Sequence, residues 1–248
     1  QVPRPVVEMV SAEAQGNPLV IEELVRFHDD HSRQSDTLTF ADMVSRRLDV
    51  LDPLSRLVVE VCATAGYALD LESAAAGAKA GVQETGFATS RLVEQRLLRH
   101  VAGREAAVRL VPFHDKVTVI TLDAMEPSQR RRIHRRLASH LAATRPGAFH
   151  ALADHWRLAG VPERASSYAL RAAEHAEEVG LHDRAIRYYA MALGFPPSGI
   201  EEWQIRERLA QTLDRGGRFA EAGRAFRDAP RRAPGVARPP LMLRGARP

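Results

Sequence analysis

Cysteine is almost absent: Cys62 is the only one in 248 residues. It sits in an apolar helical pattern, no disulfide framework is possible, and a reducing compartment is the expected setting. Lysine is nearly absent too. Lys79 and Lys116 are the only two, and arginine carries the rest of the positive charge. The formal net charge is +4 although the sequence pI is about 9.7. That skew, with abundant alanine, points to genome base composition more than to a nucleic-acid role. A basic balance favours an acidic partner in general and identifies none. No apolar run reaches the ~20 residues that a membrane-crossing helix needs. No basic stretch leading into an apolar core marks a signal peptide. The first residue is Gln1 rather than Met, so the expectation is an interior piece of a longer, soluble, cytoplasmic protein with no membrane partner.

What is present is mostly helical periodicity. Gly16-Asn17-Pro18 breaks an apolar start, and Pro18 suits a first helical turn, where its missing N–H would be unpaired anyway. Ile21, Leu24, Val25 and His28 follow at helical spacing. Met43, Leu48 and Leu51 mark another helix, ended by Asp52-Pro53. Leu54, Leu57, Val58 and Val61 form the i, i+3, i+4, i+7 stripe of a core helix that Gly66 stops. A short alanine-rich helix over 69–80, closed by Gly81, and a helix over 84–96 come next. Leu97, Leu98 and Val101, a polar turn, then Val108, Leu110 and Val111 predict a two-stranded hairpin. Two more helices carry Val117, Ile120 and Leu122, then Ile133, Leu137 and Leu141.

From Ala151 onward the helices come in pairs rich in small residues. Gly180-x4-Ala185-x3-Tyr189 aligns with Gly217-x4-Ala222-x3-Phe226, close to the tetratricopeptide (TPR) pattern. Trp156, Gly160, Ala165, Tyr168 and Ala169 form a shorter unit before them. Beyond Asp228 the composition is Pro-Arg-Ala-Gly without periodicity, and no fold is expected there. The fold class is therefore mainly α: a winged-helix-like domain with a small β-hairpin, followed by TPR-like α-helical hairpins. The expected divisions are 1–50, 51–145, 146–228 and a disordered tail over 229–248.

The order of these pieces resembles the C-terminal portion of a bacterial STAND/AAA-type signalling ATPase, as in LuxR-type large regulators, cyclase fusions and serine/threonine kinases with ATPase-TPR extensions. Gly16-Asn17-Pro18-Leu19 before Ile21-Glu22-Glu23-Leu24 is similar to the family's helical-lid segment. Phe113-His114-Asp115, then Gln129-Arg130-Arg131 and Ile133-His134-Arg135-Arg136-Leu137-Ala138, resembles its His-Asp and arginine-rich segments. Ala153-Asp154-His155-Trp156 and 165–173 look like the helices leading into its repeats. The resemblance covers roughly residues 5–228 and makes 1–50 a lid remnant. It implies that Gly16, Asn17, Pro18 and Leu19 pack against bound nucleotide. It also implies that His114 contacts the ADP phosphates while Asp115 caps the next helix or orients the ring.

The parent protein would then use ATP or ADP with magnesium. Its ATPase core would lie upstream in the same chain, and a protein or small-molecule inducer would bind the repeats. The chain departs from the family's catalytic pattern: it has no Gly-x4-Gly-Lys-Ser/Thr loop and no apolar strand ending in paired acidic residues. Alone it is expected to carry no cofactor and catalyse nothing.

Each motif also has a plainer reading. Gly16 to Leu19 can be a loop entering a helix, and Asp115 an N-cap beside a half-buried histidine. A phosphohydrolase-type metal pair at His114 and Asp115 would need further ligands that the sequence does not supply. His28-Asp29-Asp30-His31 reads as a solvated helix end. Arg130, Arg131, Arg132, Arg135 and Arg136 interleave with apolar residues, which favours a solvated helix face over nucleic acid. The helix over 84–96 mixes Glu84, Glu94 and Gln95 with Arg91 and Arg96, a poor phosphate-tracking surface. Trp156, Tyr168, Tyr188 and Tyr189 are repeat core or, in part, the lining of a partner groove. A winged-helix DNA-binding regulator and a structural TPR scaffold are the alternatives to the signalling role.

Overall fold

The structure, a computed structural model, describes residue 21, residues 39–103 and residues 107–232, with side chains through residue 228. It is mainly helical, with a small two-stranded antiparallel sheet, and no described helix is long and apolar enough to cross a membrane. Two compact units part after Pro127.

The first unit begins with α1 (Phe40–Asp49), α2 (Pro53–Ala65), α3 (Leu71–Ala78) and α4 (Val82–Glu94). Their starts are written in the sequence. Thr39 Oγ1 accepts from the Asp42 N–H at 3.1 Å while the Asp42 carboxylate accepts from the Thr39 N–H at 2.9 Å, a reciprocal capping box. Asp52 caps α2 through the Ser55 N–H, with Pro53 in the first turn. Gly66, at φ 74°, ends that helix in the left-handed conformation that glycine adopts without strain.

Leu54 and Leu57 are only half-buried, whereas every residue from Val58 to Ala65 is buried. The core helix is thus enclosed on all sides along its second half. The reason is its position: α3, α4, the hairpin and the helix after it all pack on α2.

The hairpin pairs β1 (Leu98–Ala102) with β2 (Val108–Pro112), Leu98 opposite Pro112 and Ala102 opposite Val108. The residue between α2 and α3 joins this sheet. Leu69 and Leu110 exchange both backbone hydrogen bonds, at 3.0 and 2.7 Å, so a single extended residue ties the helices to the second strand. Both side chains are buried. The unit closes with α5 (Asp115–Asp123), which packs on α1, α2 and β2. Cys62 is buried in α2, and burial pushes its thiol up to about 12, so it is an inert core residue.

The second unit holds α6 (Pro127–Thr144), α7 (Phe149–Leu158), α8 (Pro162–Glu178), α9 (His182–Leu193), α10 (Glu202–Arg215) and α11 (Phe219–Arg232). Ala138 and Leu141 of α6 share a core cluster with Leu152 and Trp156 of α7 and Ala165 of α8. The helix carrying the arginine run therefore packs with the helices that follow it.

Three turns in this unit repeat one hydrogen-bond plan. Gly160, Gly180 and Gly217 have φ of 73°, 73° and 74°. The next residue's N–H reaches back to a carbonyl in the preceding helix: Val161 to Trp156, Leu181 to Ala176, Arg218 to Leu213, at 3.0, 2.8 and 2.8 Å. This is the Schellman arrangement, which satisfies carbonyls left over at a helix end. The same residue's carbonyl then accepts from the N–H of the alanine four residues on, Ala165, Ala185 or Ala222, each buried.

A Cβ on Gly180 would meet no atom within 4 Å, so only its positive φ opposes substitution. Gly180→Ala should lower the stability of the second unit by about 1–2 kcal/mol, measured by urea denaturation.

Candidate functional site

The junction between β2 and α5 places the His-Asp pair. The Phe113 N–H donates to the Leu97 carbonyl at 2.9 Å, fixing the exit from the hairpin. His114 then takes an extended conformation, φ −145° and ψ 153°, and itself occupies the N-cap of α5. Its Nδ1 accepts from the Lys116 N–H at 3.1 Å. Asp115 is the first residue of the helix and is exposed. The expected cap by Asp115 is corrected: helical geometry begins at 115, so residue 114 is the one whose side chain can reach the second N–H of the helix.

The cap decides the chemistry of the ring. With Nδ1 accepting, the neutral imidazole carries its proton on Nε2, which is the donor nitrogen. The ring stands edge-on to Phe40 of α1, with centroids 6.0 Å apart, and Lys116 Nζ lies 5.6 Å from the same Phe40 centroid. An imidazole donor and an ammonium thus share one buried phenyl ring, contributed by another helix. Such a pair can donate to phosphate or carboxylate oxygens. Lys116 and Phe40 were not singled out from sequence. The available signal was the rarity of lysine together with its place two residues after His114.

Gly16, Asn17, Pro18 and Leu19, with His28 to His31, lie outside the described residues.

In the second unit the arginine run falls on α6 as the interleaving requires. Ile133, Leu137 and Leu141 are buried, while Arg131, Arg132 and Arg135 are exposed. Sequence reading did not foresee the fate of His134. Its Nδ1 lies 2.9 Å from Nδ1 of His155 on α7, and both rings are buried. One ring donates and the other accepts, so the two neutral imidazoles must hold complementary tautomers. Burial, reinforced by His155, Arg157 and Arg130, pushes His134 down to about 4, and burial pushes His155 down to about 4.

Trp156, Tyr188 and Tyr189 are buried and Tyr168 is half-buried. Tyr189 donates to Glu177 at 2.6 Å, and Tyr188 donates to Asp154 at 3.1 Å. Glu177 also accepts from the Thr212 hydroxyl at 2.6 Å, so one carboxylate ties α8, α9 and α10 together. These four residues are packing elements of the helix array. Among the described residues no group of three or more His, Cys, Asp or Glu side chains is placed to hold a metal ion.

The candidate groups are therefore an imidazole and an ammonium at a strand-to-helix junction in the first unit, and an arginine-bearing helix array in the second. Comparison of the chain with protein-family models, with curated proteins and with solved structures finds no match.

Proposed function

We propose that the chain is the signal-transducing portion of a STAND-type ATPase, coupling nucleotide state in an ATPase core to partner or inducer binding on helical repeats. The observation that carries the reading is His114: its Nδ1 is committed to the cap of α5, so its Nε2–H is the donor, and Lys116 shares Phe40 with it. That combination suits the phosphates of ADP, one neutral donor and one cation held by the same helix start. A winged-helix reading of the first unit is supported by the order α2, Leu69, α3, α4 and hairpin, with Leu69 paired to the second strand. A TPR-like reading of the second is supported by its three identical glycine turns. ADP would favour a closed arrangement, and a partner binding the open one more tightly would shift the balance toward nucleotide exchange.

The DNA-binding alternative gains little from α4. Arg91 is paired with Asp52 at 3.2 Å, Arg96 lies 6.0 Å from the Phe113 ring centre, and Glu84, Phe87 and Glu94 are exposed.

Two variants separate the roles of His114. His114→Ala removes the cap and should destabilise the first unit by about 1 kcal/mol. His114→Asn keeps a capping oxygen but loses the imidazole donor, so stability should be retained. Joined to the ATPase core that the resemblance places before it, either variant should hold ADP about tenfold or more weakly in a fluorescent-nucleotide titration. Unchanged ADP affinity in His114→Asn would remove the phosphate role. The 248-residue chain alone should turn over no ATP with magnesium, and turnover above the His114→Ala control would overturn the proposal.

A further inference from the structure

The arginines of the second unit are not distributed evenly. On α8 the carboxylates of Glu174 and Glu177 are engaged toward α9 and α10: Glu174 by Arg208, and Glu177 by Tyr189, Thr212 and Arg215. Its arginines lie against α7. Arg164 covers the Trp156 ring at 4.6 Å and Arg171 covers Phe149 at 4.2 Å. Seven residues separate them, two helical turns or roughly 10 Å. On α9, Arg187 covers Tyr188 at 4.8 Å. Arg184 and Arg187 are also near enough to His150 of α7 to lower its proton affinity, after the larger effect of burial.

Arg164, Arg171, Arg184 and Arg187 are all exposed, and among the described residues none forms an ion pair with a carboxylate. A guanidinium held over an aromatic ring loses little further freedom when a carboxylate arrives; Arg164 and Arg171 are held in this way, and Arg187 is held by its ring contact and by donating to the Tyr188 hydroxyl at 3.1 Å.

We infer that this α7–α8–α9 face is the docking surface for an acidic peptide segment, with Arg164, Arg171, Arg184 and Arg187 each receiving a carboxylate. It rests on the reading that the helical hairpins receive a partner, and it states that partner's chemistry. A peptide fits better than a nucleic acid because the face is interrupted. Asp154 sits beside the Tyr188 hydroxyl, and Glu178 lies 3.5 Å from His175. A continuous phosphate backbone would be repelled at both places, whereas a peptide carries its charges at separate positions and can offer donors there.

The test is fluorescence anisotropy of a fluorescein-labelled octaglutamate peptide titrated with the full chain at low salt. An oligothymidylate of equal charge serves as the nucleic-acid probe. Saturable peptide binding should weaken about tenfold in the Arg171→Gln/Arg184→Gln/Arg187→Gln variant, from three exposed charge pairs together. Arg131→Gln/Arg135→Gln on α6 should leave it unchanged. Arg184→Gln alone should weaken binding measurably if the triple variant proves unstable in a thermal melt. Peptide binding that is absent, or that both variant sets weaken equally, overturns the inference, as does oligothymidylate binding as tightly through the same three arginines. A partner whose binding to the chain ignores these arginines would remove this surface while leaving the hairpin reading intact. The ADP measurements on His114 are independent of both.

Discussion

Acidification from about pH 6.5 to about pH 4 should unfold the second unit well before burial of its apolar residues alone would suggest, through His134 and His155. Each imidazole ordinarily titrates at 6.5, and in the folded unit each is pushed down to about 4. The unfolded chain therefore binds more protons than the folded one between those values, and stability falls as pH falls. The contribution is fully present above about 6.5 and gone below about 4. One depressed histidine of this size corresponds to about 3 kcal/mol, a large share of the 5–15 kcal/mol typical of a folded domain.

The geometry gives the two protons different consequences. The first can enter at Nε2 of the donor ring with the 2.9 Å bond intact, so it is opposed by burial and, if that ring is His134, also by Arg157 and Arg130. A second would set two Nδ1–H groups against each other, and that would part α6 from α7. The pair should thus titrate in two coupled steps.

Both tryptophans, Trp156 and Trp203, lie in the second unit, so intrinsic fluorescence follows its unfolding without interference from the first. Urea midpoints should fall across this pH window in the wild type. In His134→Leu/His155→Leu they should fall distinctly less, because the two strongly depressed imidazoles are gone. Parallel pH profiles for the two proteins would mean that the pair does not govern acid stability.

The parts of this fold that were legible in sequence are those written locally. Asp52-Pro53, the Gly66 stop, the two hairpin strands and each glycine turn with its alanine five residues on can be read from a dozen residues or fewer. What was illegible depends on residues distant in the chain. Leu69 reads as the first residue of the alanine-rich helix, but the helix begins at Leu71 and pairing with Leu110 makes Leu69 extended. His134 and His155 are ordinary helix residues in separate motifs until two helices bring their rings together. Asp115 is a better capping residue than histidine by propensity, yet a shift of one residue in where α5 starts gives the cap to His114. At the candidate site the sequence located His114 and missed Phe40, because Phe40 reaches it from another helix.

Trp156→Ala should destabilise the second unit by about 3–5 kcal/mol, the usual range for emptying a buried aromatic site. Trp156 is 2% exposed and packs among Ala138, Leu141, Leu152 and Ala165, with Arg164 over its ring. Alanines supply much of that wall, and short side chains on rigid helices cannot reach into the space left behind. Trp156→Phe should behave quite differently. The indole Nε1 is buried and has no hydrogen-bond partner among the described residues, so the native residue bears a desolvation cost that phenylalanine removes. The lost ring area and the relieved N–H act in opposite directions, leaving a net change within about 1 kcal/mol. Trp203 remains as the fluorescence probe in both variants. If Trp156 instead served mainly as a contact for a partner, Trp156→Ala would unfold at nearly the wild-type urea concentration. An equal loss for Ala and Phe would show that the indole N–H has a bond, and that the site is polar rather than a packed apolar joint between α6, α7 and α8.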